Sequence, residues 1–292
     1  MTAGRVQGHR DLSGDRDRWA FLPALRAVAM DADGTPEVLL TNDDGIDSPG
    51  LHALADALSE VANVTVVAPA DDQSAVGRKI TVSGSISVEE RDRGYAIGGT
   101  PVDCVVAGLE AIGPYPDLVV AGCNTGANLG AYVLGRSGTV SAAVEAAFFG
   151  LPAIAVSLYI PEDEWDGKHR DIEDYAEAAR ATRYLVEQAP SSGIFEHAEY
   201  LNVNAPIATD DPAGMRVTTP SPVYDMAASH DGDSITLYDR MWERMASEEI
   251  DDPEESDRRV VVSGDVSVSP LTAPHTARPH ESLDGVVAEF NG

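Results

Sequence analysis

The stretch Val38-Leu39-Leu40-Thr41-Asn42-Asp43-Asp44-Gly45 runs from a short apolar segment straight into two adjacent carboxylates. A β-prone run without polar alternation reads as a strand covered on both faces, the habit of parallel sheets. Gly45 lets the chain turn sharply after it. Pro49-Gly50 then opens Leu51 to Leu58, where Leu51, Leu54, Ala55 and Leu58 recur at helical spacing. Strand, acidic turn and helix are the first unit of an open α/β sheet. In such sheets ligands bind at the carboxyl ends of the strands, which is where the two acids stand.

Outward from this unit the same alternation continues. Val64 to Ala68, closed by Pro69, reads as a second strand, Asp117 to Ala121 as a third, Ala153 to Ser157 as a fourth and Tyr200 to Asn204 as a fifth. Between them, Val102 to Ile112 forms a helix capped by Thr100-Pro101 and flanked by Asp103, and Val140 to Phe149 and Ile172 to Gln188 form two more. Ile80 to Ile97 suggests a strand and then a hairpin. This order predicts a Rossmann-like, doubly wound, mostly parallel sheet over residues 37–206. Residues 207–292 read as an irregular β-rich appendage, with β-like pieces near Val217, Ile235 and Leu237. Within it, Glu248 to Asp257 reads as a solvated acidic loop, Arg258 to Ser263 and Val266 to Leu271 as strands, and Leu283 to Phe290 as a last helix. Residues 1–36 read as a disordered or mis-started extension: in the first 29 residues three aspartates lie among five arginines, and Arg26 and Pro23 interrupt the apolar run that a signal peptide would need.

Composition narrows the partners. Against 49 acidic residues stand 20 basic ones, a net charge of −29, and only Lys79 and Lys168 are lysines. Such a surface repels nucleic acid polymers and anionic membranes, and it suits a high-salt cytoplasm in which screening weakens self-repulsion. Cys104 and Cys123, both in apolar contexts, are neither a disulfide framework nor a zinc site, and they fit a reducing cytoplasmic setting as core fillers. No apolar run is long enough to span a bilayer. The histidines show no ligand spacing and read as structural or exposed.

The candidate chemistry lies after the first three strands and before one helix. Two neighbouring carboxylates, Asp43 and Asp44, are costly in a buried turn unless a cation compensates them, although Asn-Asp-Asp-Gly also suits an ordinary surface turn. Ser74 follows the second strand, and Asn124 and Asn128 lie among Gly122, Gly126 and Gly130 after the third. Ser137-Gly138-Thr139 opens the alanine-rich helix, whose first N–H groups and positive dipole end can hold phosphate without a lysine; the same residues serve equally as a plain cap. Arg136, next to them, faces an anion or solvent. Hard oxygen donors beside an anion cradle are the equipment for metal-assisted phosphate ester hydrolysis.

These blocks together resemble the SurE survival-protein nucleotidases. The resemblance is carried by Leu39 to Ile46 with Pro49-Gly50, by Val66-Val67-Ala68-Pro69 and Ser74, and by Gly99-Thr100-Pro101-Val102-Asp103. It continues through Gly122 to Gly130, Ser137 to Glu145, Pro152 to Ser157 and Asn202-Val203-Asn204 with Pro206. It implies a 5′-nucleotidase in which Asp43, Asp44, Ser74 and Asn124 hold one divalent cation per subunit, Mg2+ or Mn2+, and Asp43 and Asp44 are catalytic. Asn128, Ser137, Gly138 and Thr139 would receive the phosphate of a nucleoside monophosphate, and the region past residue 206 would build a homodimer or homotetramer. Cys123 stands where the family usually has isoleucine, Ala146 replaces a common glycine, and the match weakens past Val217. A nucleotide-binding module without turnover is the alternative. A dehalogenase-type phosphatase would need Asp-x-Asp, which Asp43-Asp44 is not, and a receiver-like domain would need a lysine better placed than Lys79 or Lys168.

Overall fold

The computed structural model describes residues 34–165, 170–247 and 249–273. The expected extension up to residue 33 and the helix expected over Leu283 to Phe290 lie outside the described residues. Strand β1 (Glu37–Thr41) is the centre of the architecture. It pairs in parallel with β2 (Asn63–Pro69) on one side and β5 (Leu118–Thr125) on the other. Beyond β2 lie β4 (Gly94–Ile97), parallel, and β3 (Val88–Arg91), antiparallel. Beyond β5 come β6 (Ala153–Tyr159) and β7 (Tyr200–Pro206), both parallel.

The predicted doubly wound sheet is therefore present. From β1 the chain winds outward through β2 and β4, then crosses back to β5 on the other side of β1. That reversal makes the carboxyl ends of β1 and β5 the switch point, where the first helices of the two halves diverge and a crevice opens.

Helices cover both faces. On one, α1 (Pro49–Leu58) and α5 (Ala176–Ser192) bury Leu51, Leu54, Leu58 and Val186 against Leu40, Val120 and Ile154. On the other, α2 (Pro101–Glu110) and α4 (Gly138–Phe148) bury Val105, Leu109, Val140 and Ala143 against Leu39, Val119 and Ala155. Alternate residues of β1 and β5 thus feed different cores, so their sequence lacks polar alternation. The predicted cap of α2 is a complete capping box: Thr100 accepts from the Asp103 amide, and Asp103 accepts from the Thr100 amide.

Differences from the sequence reading concentrate at the edges. Residues 80–87 form no strand; only the hairpin β3–β4 appears in that stretch. β5 extends through Thr125 with a register shift between Ala121 and Asn124, so Asn124 is the last residue but one of a strand rather than part of a loop. Gly130 is followed by a short helix, α3 (Ala131–Leu134), which the sequence did not suggest.

Past residue 206, β8 (Met215–Val217) and β11 (Val266–Leu271) join the same nine-stranded sheet, β11 antiparallel to β7. An antiparallel pair, β9 (Met226–Asp231) and β10 (Ser234–Asp239), stands as a separate two-stranded ribbon. The strand expected over Arg258 to Ser263 is a helix, α7 (Asp257–Val262). Ser256 caps it by accepting from the Arg259 amide, and one face buries Val260 and Val261, so the valine run packs on a helix stripe instead of a pleat. The acidic stretch before it is only partly solvated, because Asp252 and Asp257 are buried. With α6 (Met241–Ala246), α7 forms a third small core over Ala127 and Leu129. Among the described residues no helix is long and apolar enough to cross a membrane.

Candidate metal and phosphate site

Asp43 and Asp44 emerge from β1 at the switch point, and the preceding Asn42 shapes their turn. Its Nδ2 donates to the Gly45 carbonyl at 2.9 Å and to Ser48 Oγ at 2.7 Å, and its Oδ1 accepts from the Gly45 amide at 3.2 Å. Gly45 has φ +102°, a left-handed value that a side chain would resist.

Each carboxylate is then seated on a donor from a different element. Asp43, 3% exposed, accepts at Oδ1 from Thr139 Oγ1 of α4 at 2.5 Å. Asp44 accepts at Oδ2 from the Thr125 amide at the end of β5, 2.7 Å away. A β-carbon on Gly138 would come within 2.8 Å of both Asp43 Cβ and Oδ2. The first turn of α4 therefore lies directly against this carboxylate, with its positive end toward the negative charge.

The other two expected donors flank the pair. The Gln73 amide donates to the Asp43 carbonyl at 2.7 Å, which ties the loop holding Ser74 to the acidic turn. Ser74 Oγ itself donates to Asp72 Oδ1 at 2.6 Å. Asn124 immediately precedes the Thr125 amide that holds Asp44, and its Nδ2 donates to the Gly126 carbonyl. The fold thus brings the four segments to one edge of the sheet. The chemistry of the set is hard and oxygen-based: two carboxylates, a hydroxyl and an amide oxygen. Among the described residues there is no group of three or more His, Cys, Asp and Glu suited to a metal ion, so a cation here would need the neutral oxygens as well as the two acids. That mixture fits Mg2+ or Mn2+ and not zinc.

The expected phosphate contacts are engaged in other ways. Ser137 Oγ caps α4 by accepting from the Val140 amide at 3.1 Å, and Thr139 Oγ1 is committed to Asp43. What this segment offers an anion is its backbone and the helix dipole. Asn128 is buried beneath the loop: its Nδ2 donates to Ser157 Oγ at 2.9 Å, its amide to Asn204 Oδ1 at 2.8 Å, and its carbonyl accepts from Asn202 and Asn204. Arg136 stacks over the Tyr132 ring, 3.7 Å from its centre, and Tyr132 in turn stacks on Tyr224.

Several supports were invisible in the sequence. Thr125 Oγ1 and the Tyr175 hydroxyl lie 2.8 Å apart in the core behind Asp44, and burial pushes the Tyr175 phenol well up from its ordinary value. Burial, with Asp44 nearby, likewise holds the Cys123 thiol far above the ordinary thiol range, so it is an inert filler, as expected. Cys104 is pushed up by burial too. Asn202 and Asn204 of β7, part of the block that carried the resemblance, hold the Asn128 backbone from behind, a role that the sequence did not assign them.

The Survival protein SurE family model matches residues 38–224. The 5′-nucleotidase SurE of Halobacterium salinarum is 61% identical over 262 residues, covering 89% of this chain and all of that protein. That of Haloarcula marismortui is 61% identical over 259 residues, 87% of this chain and 95% of the relative. That of Methanoculleus marisnigri is 38% identical over 264 residues, 88% and 98% of the two chains. Among solved structures, the SurE protein from Aquifex aeolicus superposes with a TM-score of 0.71 at 30% identity, covering 88% of this chain and 100% of that one.

Proposed function

The chain belongs to the SurE family, and on that premise we propose that it is a divalent-metal-dependent 5′-nucleotidase, releasing phosphate from nucleoside monophosphates. The observation that carries the reading is the pair of adjacent carboxylates at the switch point, each fixed by a donor from a separate element. Two acids held this close in a largely buried turn repel one another, and a divalent cation is the natural compensation.

Asp43, Asp44, Ser74 and Asn124 are the residues that would hold Mg2+ or Mn2+, one ion per subunit. When bound, such an ion acts as a Lewis acid toward the phosphoryl group and makes water acidic enough to serve as nucleophile near neutrality. The rest falls to the protein. Thr139 and the first turn of α4 keep Asp43 in one orientation, and the Thr125 amide does the same for Asp44. We assign Asp44 the proton released by the attacking water. The backbone at Ser137 to Thr139, at the positive end of α4, stabilises the charge that grows on the phosphoryl oxygens. Asn128, anchored by Ser157 and Asn204, holds the loop in register and can offer its second amide N–H to the same oxygens. No phosphoenzyme is involved, and the assembly is a homodimer or homotetramer in the cytoplasm.

A substrate panel of nucleoside monophosphates with and without chelator tests this reading in molar KCl, the medium that the acidic surface suits. Phosphate release is expected only with Mg2+ or Mn2+ added back. Undiminished release after exhaustive chelation sinks the metal role, and nucleotide binding without any release leaves a binding module.

Gly138→Ala is a sharper probe. The new β-carbon meets the Asp43 side chain at 2.8 Å, so one of them must shift. Since a displacement near 1 Å costs roughly a hundredfold in rate, kcat should fall by about that factor, and overpacking of ~1–3 kcal/mol should lower the thermal midpoint by several degrees without unfolding the chain at assay temperature. Wild-type kcat in this variant would show that the approach of α4 to Asp43 does not matter to turnover.

A further inference from the structure

A cleft of about 420 Å3 beside Gly126 plays no part in the chemistry above; Ile160, Glu162, Trp165, Asp239, Trp242 and Glu243 line it. It adjoins the site directly. The Gly126 carbonyl accepts from Asn124, and Cη2 and Cζ3 of the Trp165 ring lie 3.7 Å from where a β-carbon on Gly126 would be. Trp165 is nevertheless 47% exposed, so a large aromatic surface lies bare beside Gly126, itself two residues from the proposed cation donor Asn124. Trp242, partly buried, is anchored in the small core under α6 and α7. Among the described residues neither lysine nor arginine lines the cleft, and three of its lining residues are acids.

We propose that this cleft is the nucleobase subsite, in which the base stacks on Trp165 and the carboxylates favour bases whose edge carries an exocyclic amino group. The inference rests on the hydrolytic reading for its substrate, and specifies which part of that substrate the chain distinguishes. Every base has a face that an indole can stack on, so Trp165 supplies affinity with little selectivity. Selectivity comes from the acids, because an ionised carboxylate only accepts hydrogen bonds. Guanine presents its ring N–H and 2-amino group side by side, a bidentate match for one carboxylate; hypoxanthine lacks the amino group. A second cleft of about 320 Å3, beside Lys79 and Thr81, also holds acids, Asp71 and Asp103, but among the described residues no aromatic ring lines it for a base to stack on.

The test compares GMP, IMP and ribose 5-phosphate, which has no base, with the full chain and saturating Mn2+. In Trp165→Ala the ratio of kcat/KM for GMP over ribose 5-phosphate should fall about tenfold, mainly through KM, and Trp165→Phe should recover most of it. In the Glu162→Gln, Glu243→Gln double variant the preference for GMP over IMP should shrink severalfold. An unchanged ratio in Trp165→Ala, or an equal fall for both substrates that phenylalanine does not repair, overturns the proposal. Indole fluorescence titrated with GMP keeps the two readings apart. Quenching that Trp165→Ala abolishes, without phosphate release from any ester, supports the subsite and sinks hydrolysis; release from ribose 5-phosphate as efficient as from GMP sinks the subsite alone.

Discussion

Asp43→Asn and Asp44→Asn should each lower phosphate release on the order of a thousandfold while leaving the fold intact. Loss of a residue that merely supports a metal ligand costs roughly 10–100-fold in affinity or activity, and on the proposed reading a ligand and its charge both go. The fold is spared because an asparagine keeps an acceptor oxygen for the hydrogen bonds that seat the two residues. Asp43 Oδ1 receives Thr139 and Asp44 Oδ2 receives the Thr125 amide, and an asparagine retains one acceptor oxygen in the same place. Circular dichroism melting should therefore match the parent chain. Turnover within tenfold of the parent in both variants, at saturating Mn2+, would remove the carboxylates from the mechanism.

The inner sheet was legible because each of its strands is buried on both faces, which writes an uninterrupted apolar run, and because a turn or helix signal follows each one. The place of Asp43 and Asp44 was legible for a related reason: a polar residue immediately after such a run has to stand at the sheet edge, whereas the loop of Ser74 is brought back to that edge by the Gln73 amide bonded to the Asp43 carbonyl. What failed to show was the partner of each group. Thr139 and Ser137 read as phosphate contacts or caps with equal ease. Only the approach of α4 to β1 reveals that one hydroxyl serves Asp43 and the other caps the helix. Asn128 looked like part of a polar cradle because glycines surround it, yet its neighbours across the sheet, Ser157 and Asn204, are 29 and 76 residues away in sequence. The valine run in α7 followed β propensity, and the buried face of a short capped helix overrode it. Long-range contacts of this kind leave no local periodicity to read.

Asp257 is the residue whose loss should cost the most stability, because a buried carboxylate there organises three segments. Fully buried at 0% exposure, it accepts from the Gly130 amide at 2.7 Å, the Ser221 amide at 3.0 Å and the Arg258 amide at 2.9 Å. Burial pushes its carboxyl above the usual range, against the pull of these amides and of the Arg258 guanidinium. Arg258, 2% exposed, donates to Ser221 Oγ and to the Val223 carbonyl, and lies 3.6 Å from Asp252 Oδ2. Asp257→Ala would strip the acceptor from two buried amides on other segments and leave the guanidinium with a single distant carboxylate. Orphaned buried amides cost ~1–3 kcal/mol each, and a broken buried charge network ~3–5 kcal/mol, so a loss of about 3–5 kcal/mol is expected. Urea unfolding in molar KCl should show it as a lower midpoint at constant slope, since salt screens buried charges weakly. A companion Asp257→Ala, Arg258→Met variant should recover part of the loss by removing the charge left stranded. A shift below about 1 kcal/mol for Asp257→Ala would mean the network is dispensable. The effect should also reach the site. Gly130 ends the loop that follows β5, so freeing its amide loosens the segment just after Asn124, one of the four proposed donors. Turnover should therefore decline at temperatures where the remaining chain is still folded.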